Sequence, residues 1–186
     1  MSKNKHPVHK LVITVAGHHG SGRSTQAKLL AEAFNLRYVS TGTIFRDRAD
    51  ELKVSLEELN VRSKVDPGFD RWLDERARDE TLKGGVVLDA TLSGSIAEKP
   101  DLRFFLKTPF NLRVHRIAER EGFSVKHAEE ETRIREAAEK ERFKHFYNID
   151  IDDLTIYDLV LNTGLFVIEA CAHILKTVVE ESTSDR

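Results

Sequence analysis

The sequence predicts a three-layer α/β fold around a parallel five-stranded sheet, and three observations carry that prediction. Five short apolar runs recur along the chain, helical stretches separate them, and a glycine-rich loop follows the first run. Strands alternating with helices build a parallel sheet covered on both faces. A phosphate-cradling loop placed after the first strand makes this a P-loop NTPase fold.

The elements follow in order. LVITVA (11–16) is a continuous β-branched run, as expected of a strand buried on both faces. The next helix carries Ala27, Leu30, Ala31 and Phe34 as an apolar stripe. RYVS (37–40), GVVLD (85–89), RFFLK (103–107) and DLVLNT (158–163) are the remaining strands. Ser55 with Glu58 forms a capping box, and Thr108-Pro109 fits an N-cap with a first-turn proline. Gly122-Phe123-Ser124 breaks the helix that ends near Arg120, and Ser124 caps a second one running to Tyr147. The final helix, about 166–181, places Ile168, Cys171, Ile174, Leu175 and Val178 along one side, which makes Cys171 a core residue.

One domain is therefore expected over 11–181, between a basic disordered tail at 1–10 and a short tail at 182–186. Two segments depart from the sheet-forming body. Residues 43–83 are helical and charged, and 122–150 hold a charge-dense helix with few apolar positions, as a mobile flap would.

Composition narrows the function classes. The chain is 40% hydrophobic and 32% charged, in the range of globular proteins, and its net charge of −2 argues against bulk nucleic-acid binding. A single cysteine allows no internal disulfide, and no apolar run approaches the ~20 residues of a membrane helix. A cytoplasmic monomer, without nucleic-acid or membrane partners, is expected.

GHHGSGRST (17–25) carries the chemistry. Its spacing is that of a phosphate loop, with Arg23 in place of the usual lysine. Amides around Gly20 and Gly22 converge on phosphate oxygens, and the helix starting near Arg23 adds its positive end. Gly17, His18, His19, Gly20, Ser21, Gly22, Arg23, Ser24 and Thr25 are thus the candidate ATP site. Ser24 is placed to hold Mg²⁺, with Asp89 reaching the ion through water. Arg23 keeps the positive charge and adds planar donors. His18 and His19 are adjacent, a poor arrangement for one metal ion, so they line the loop beside the nucleotide.

Several blocks taken together, GHHGSGRSTQAKLLAE, YVSTGTIFRD, DPGFDRWLDER, VVLDATLSG, RIAEREG and the stretch from Glu131 to Thr163, resemble the archaeal-type cytidylate kinases. The resemblance runs in order from Lys10 to Gly164. It implies a nucleoside monophosphate kinase that moves the γ-phosphoryl group of ATP to CMP or dCMP, with an acceptor-binding insert at about 43–83 and a lid at about 122–150. Through it, Ser40, Gly42 and Arg46 are expected at the acceptor nucleotide, with Asp70, Arg71 and Asp74 in the insert. Arg135 and Arg142, two turns apart, are expected to clamp phosphates with Arg23, and Arg116 and Arg120 are secondary candidates. Local pairing competes for some of these: Glu129 with Arg133, Glu131 with Arg135 and Glu136 with Lys140 stand at i,i+4, whereas Arg142 follows Ala138 and has no such partner.

The chain also departs from the family pattern. DATLSG carries Thr91 where an arginine is usual, Ala138 replaces a serine, and Ala77 replaces a glutamine. These departures keep two alternatives open: a kinase for AMP, UMP or another small acceptor, and a nucleotide-binding regulator with weakened turnover.

Overall fold

The computed structural model describes residues 7–66 and 68–184. The expected tail at 1–6 and the last two residues lie outside the described residues. Regular structure starts earlier than residue 11, because Val8–Lys10 form a 3-10 turn.

Five strands, β1 (Val12–Gly17), β2 (Arg37–Ser40), β3 (Val86–Asp89), β4 (Leu102–Lys107) and β5 (Leu159–Asn162), form one parallel sheet in the order β2-β3-β1-β4-β5. β1 is central: Val15 lies opposite Asp89 on one side and Phe104 on the other. Ser40 is opposite Asp89, and Lys107 is opposite Asn162. The carboxyl ends Gly17, Ser40, Asp89 and Asn162 therefore share one edge, where ligands of open α/β sheets bind.

The helices are α1 (Arg23–Ala33), α2 (Thr41–Leu52), α3 (Leu56–Val65), α4 (Phe69–Leu82), α5 (Ser93–Ile96), α6 (Phe110–Glu121), α7 (Val125–Tyr147) and α8 (Ile168–Thr183). Alternation along the strands sorts their side chains. Ile13, Val15, Val87 and Phe104 pack against Leu30 of α1 and Leu175 of α8. Val12, Val86 and Leu88 face Ile44 of α2 and Ala77 of α4. Each fully buried Val, Leu or Ile contributes roughly 1.5–3 kcal/mol. A third cluster joins α6 to α7 through Val114, Ile117, Ala118 and Ala128.

Several boundaries differ from expectation for identifiable reasons. Thr108 is not a cap: its hydroxyl shares a 2.6 Å hydrogen bond with Thr163, and α6 begins at Phe110 behind Pro109. Ser55 accepts from the Glu58 amide, but the box with both reciprocal bonds is Ser40–Thr43. α8 starts at Ile168 and continues past 181 to Thr183, leaving Ile168 exposed while Cys171 is buried. Ser124 does cap α7, accepting from the His127 amide.

Candidate active site

The loop between β1 and α1 is built from behind. Its carbonyls are taken by donors of the body: Gly17 O by Arg23, His19 O by Arg113, Gly20 O by Arg116 and Ser21 O by Thr163. A trans peptide sets C=O and N–H on opposite sides, so the amides of His18, Gly20 and Gly22 point away from those donors. Gly22 caps α1 with φ +84, a left-handed conformation that suits glycine. Gly20 is there for space: a Cβ on it would lie 2.7 Å from the Arg113 carbonyl oxygen. Ser24 and Thr25 are exposed in the first turn of α1. Inward amides at the positive end of a helix make a cradle for anions.

Arg23 does not reach freely into that cradle. Its Nε donates to Asp89 Oδ1 at 2.5 Å, and its Nη1 donates to Gly17 O at 2.6 Å and Thr91 Oγ1 at 3.1 Å. Asp89 is only 2% exposed, and its other oxygen accepts from the Tyr38 hydroxyl at 2.8 Å. A buried carboxylate needs such partners, and this one has both. Burial, then the Asp89 charge, push the Tyr38 hydroxyl above its ordinary value, so it remains a donor.

Among the residues expected at the acceptor, Ser40 is engaged as the cap of α2, accepting from the Thr43 amide at 3.0 Å. Gly42 and Arg46 follow in the first turns of α2. Arg46 is exposed and makes no ion pair among the described residues. Arg71 is likewise exposed. Its neighbours are tied to α7 instead: Asp70 pairs with Arg142 at 2.5 Å, and Asp74 accepts from the Tyr147 hydroxyl at 2.9 Å. Burial raises the Asp74 carboxyl above its ordinary value, and Tyr147 and Arg142 hold that rise in check.

α7 is fastened to the body along its length. Glu136 pairs with Arg113, which is 6% exposed, and stands 3.9 Å from His18. His19 Nε2 meets both Glu139 oxygens at 2.9 and 3.0 Å. Burial pushes Glu139 up, but His19, Arg135 and Arg142 outweigh it and hold its carboxyl below the ordinary range. Burial also lowers His18. These contacts correct the local pairings read from spacing. Arg133 does pair with Glu129, but Arg135 turns to Glu139 at 3.5 Å, Lys140 to Asp152, and Arg142 to Asp70. Ala128, Thr132 and Phe143 are buried, so α7 sits on the body more closely than its charge density implied.

Spacing alone missed four contributors: Tyr38, Arg113, Tyr147 and a cavity of about 610 Å³ beside the loop. Gly22, Thr25, Arg116, Arg120, Phe166 and Val167 are among the residues that line it. Arg113 carried a readable signal, as a charge in the apolar stripe with Val114 and Ile117.

The sheet order, with an anion cradle between β1 and α1, defines the class of P-loop kinases. Solved structures agree in fold: a shikimate kinase from Bacteroides thetaiotaomicron has TM-score 0.63 at 15% identity, covering 91% of this chain and 98% of that one. Another from Acinetobacter baumannii has TM-score 0.64 at 12% identity, covering 96% and 100%. Sequence goes further. Residues 12–98 and 80–165 match the cytidylate kinase-like family, and the chain belongs to it. The cytidylate kinase of Staphylothermus marinus is 42% identical, across 92% of this chain and 97% of its own. That of Pyrococcus horikoshii is 39% identical, across 94% and 91%, and that of Methanocaldococcus jannaschii 37%, across 91% and 98%.

Proposed function

We propose that the protein is a cytidylate kinase, transferring the γ-phosphoryl group of ATP to CMP or dCMP to give ADP and CDP or dCDP. The observation that carries this reading is the kinship with cytidylate kinases over nearly the full length of both chains.

In this reading an oxygen of the acceptor's phosphate attacks the γ-phosphorus as the bond to the β-bridging oxygen breaks, and ADP departs. The acceptor phosphate is already ionised near neutral pH, so positioning and charge neutralisation do most of the work. The amides of residues 18–25 hold the donor's phosphates, with Arg23 at their rim. The cavity walled by Arg116, Arg120, Phe166 and Val167 suits a purine, which stacks on guanidinium and apolar surfaces alike. Arg46 grips the acceptor phosphate, with Ser40, Gly42, Asp70, Arg71 and Asp74 around the rest of the nucleotide. Asp74 is an acceptor for the exocyclic amine of cytosine.

Residues 43–83 form the acceptor-binding insert and 122–150 the lid. Arg135 and Arg142 leave Glu139 and Asp70 for the phosphates as the lid closes, excluding water. All of these groups come from one chain, so a monomer suffices.

The donor set fits Mg²⁺. Ser24 offers an exposed hydroxyl oxygen at the start of α1, and hard oxygen donors with few protein ligands suit that ion. Both Asp89 oxygens accept from protein donors, so Asp89 would act on the ion through water. When bound, Mg²⁺ supplies charge neutralisation at the β- and γ-phosphates.

One observation favours a second reading, a nucleotide-binding protein with little turnover: Arg23 is tied to Asp89, Gly17 and Thr91. ADP release across CMP, dCMP, UMP and AMP separates the two. Preference for CMP or dCMP is expected, preference for AMP would overturn the acceptor, and nucleotide-dependent thermal stabilisation with no ADP would favour the second reading.

A further inference from the structure

We propose that Tyr38 is a positioning residue for phosphoryl transfer, acting through Asp89 to hold the Arg23 guanidinium at the mouth of the phosphate loop. The inference rests on the kinase reading above and adds a residue to it.

The geometry is that of a frame. Asp89 offers two oxygens in a buried place, and each is taken by a different donor: Arg23 Nε on Oδ1 and Tyr38 on Oδ2. Arg23 Nη1 is fixed separately, by Gly17 O and Thr91 Oγ1. A guanidinium is planar, so pinning Nε and Nη1 fixes the whole group. Nη2 carries none of these bonds and is the nitrogen left to meet an incoming phosphate oxygen.

Carboxylates and guanidinium groups prefer to meet as two parallel hydrogen bonds. For Arg23 the second bond would come from Nη2, which lies on the same edge as Nε. The Tyr38 hydroxyl weighs against it by holding Oδ2 and fixing the plane of the carboxylate. Without that hydroxyl, Oδ2 loses the donor that holds it, and the carboxylate is free to turn toward the Nη2 edge of the guanidinium. The carboxylate would then take one of the two N–H groups of Nη2 and draw the guanidinium away from the phosphate. A lysine at position 23 would require no such guard, because its ammonium has no planar edge to lose.

The test is a double-mutant cycle on Tyr38→Phe and Arg23→Lys, with kcat and both KM values measured and folding checked by thermal melts. Tyr38→Phe is expected to lower kcat about tenfold while each KM stays within about twofold. In the Arg23→Lys background the same change is expected to cost less than about twofold. Equal losses in both backgrounds would reveal a merely structural tyrosine, and no loss in either would also overturn the proposal.

A wild-type measurement covers the case of a poorly folding variant. In ¹⁵N-arginine-labelled protein, ATP should shift the Arg23 Nη2 resonance and leave Nε in place; the reverse pattern overturns the frame. Wild-type turnover with each acceptor is read in the same assay. If another acceptor replaces CMP, the functional reading fails while the cycle still runs on that acceptor.

Discussion

Arg142 of α7 holds Asp70 of α4 at 2.5 Å, joining two segments 72 positions apart in the chain. Next to it Tyr147 donates to Asp74. The proposed lid and the proposed acceptor insert thus touch through the side chains assigned to the acceptor. A phosphate arriving between them competes with a carboxylate for the same guanidinium.

Arg142→Ala is expected to reduce kcat about a hundredfold, the range for removing one donor aimed at transition-state charge. Steady-state kinetics with CMP and ATP check it. Unchanged kcat and KM would remove Arg142 from the phosphate clamp.

Glu139 gives the lid contact a pH dependence. Its carboxyl is held below the ordinary 4.5 in the folded protein. A carboxyl depressed by folding adds stability that is fully present above its unfolded value and lost as pH falls through its folded value. Glu139→Gln should therefore lower Tm at pH 7 by roughly 2–4 °C, about 1 kcal/mol. The gap should close as the solution is acidified below about pH 4. Melts at neutral and acid pH that show the same gap would refute this account.

Arg113 is the strongest single tie behind the loop. It reaches Thr108 O at 3.2 Å and His19 O at 3.0 Å, and it pairs with Glu136. Arg113→Met keeps the bulk but strands Glu136 and two carbonyls, at a cost of about 3 kcal/mol. Urea denaturation should show a lower midpoint with an unchanged slope. A loss under roughly 1 kcal/mol would mean that water replaces the guanidinium without penalty.

The legible parts of the molecule were local or doubly buried. The strands could be read because both of their faces meet helices, which leaves a continuous apolar signature in β1 and β3. Ser55 and Ser124 could be read because a cap lies within three residues of its donor. Thr108 could not, since its partner Thr163 is 55 residues away. Arg142 looked unpartnered because only its own helix was considered, and Asp70 comes from another. Arg23 was legible as a cation beside phosphate but not as a partner of Asp89, because β3 and α1 converge only through the sheet order. Tyr38 had no sequence signal at all: RYVS reads as a strand whatever its hydroxyl does.

The sheet order also decides how the protein behaves in crowded solution. Its outermost strands, β2 and β5, have four residues each, as does the interior β3, whereas β1 and β4 have six. Short rims expose few unpaired peptide groups, and β2 opens on Arg37, whose guanidinium is held beside the strand by Glu80 and the Gly84 carbonyl. The fully buried apolar strands β1 and β3 lie inside the sheet, so the intact fold offers a foreign strand only its short rims.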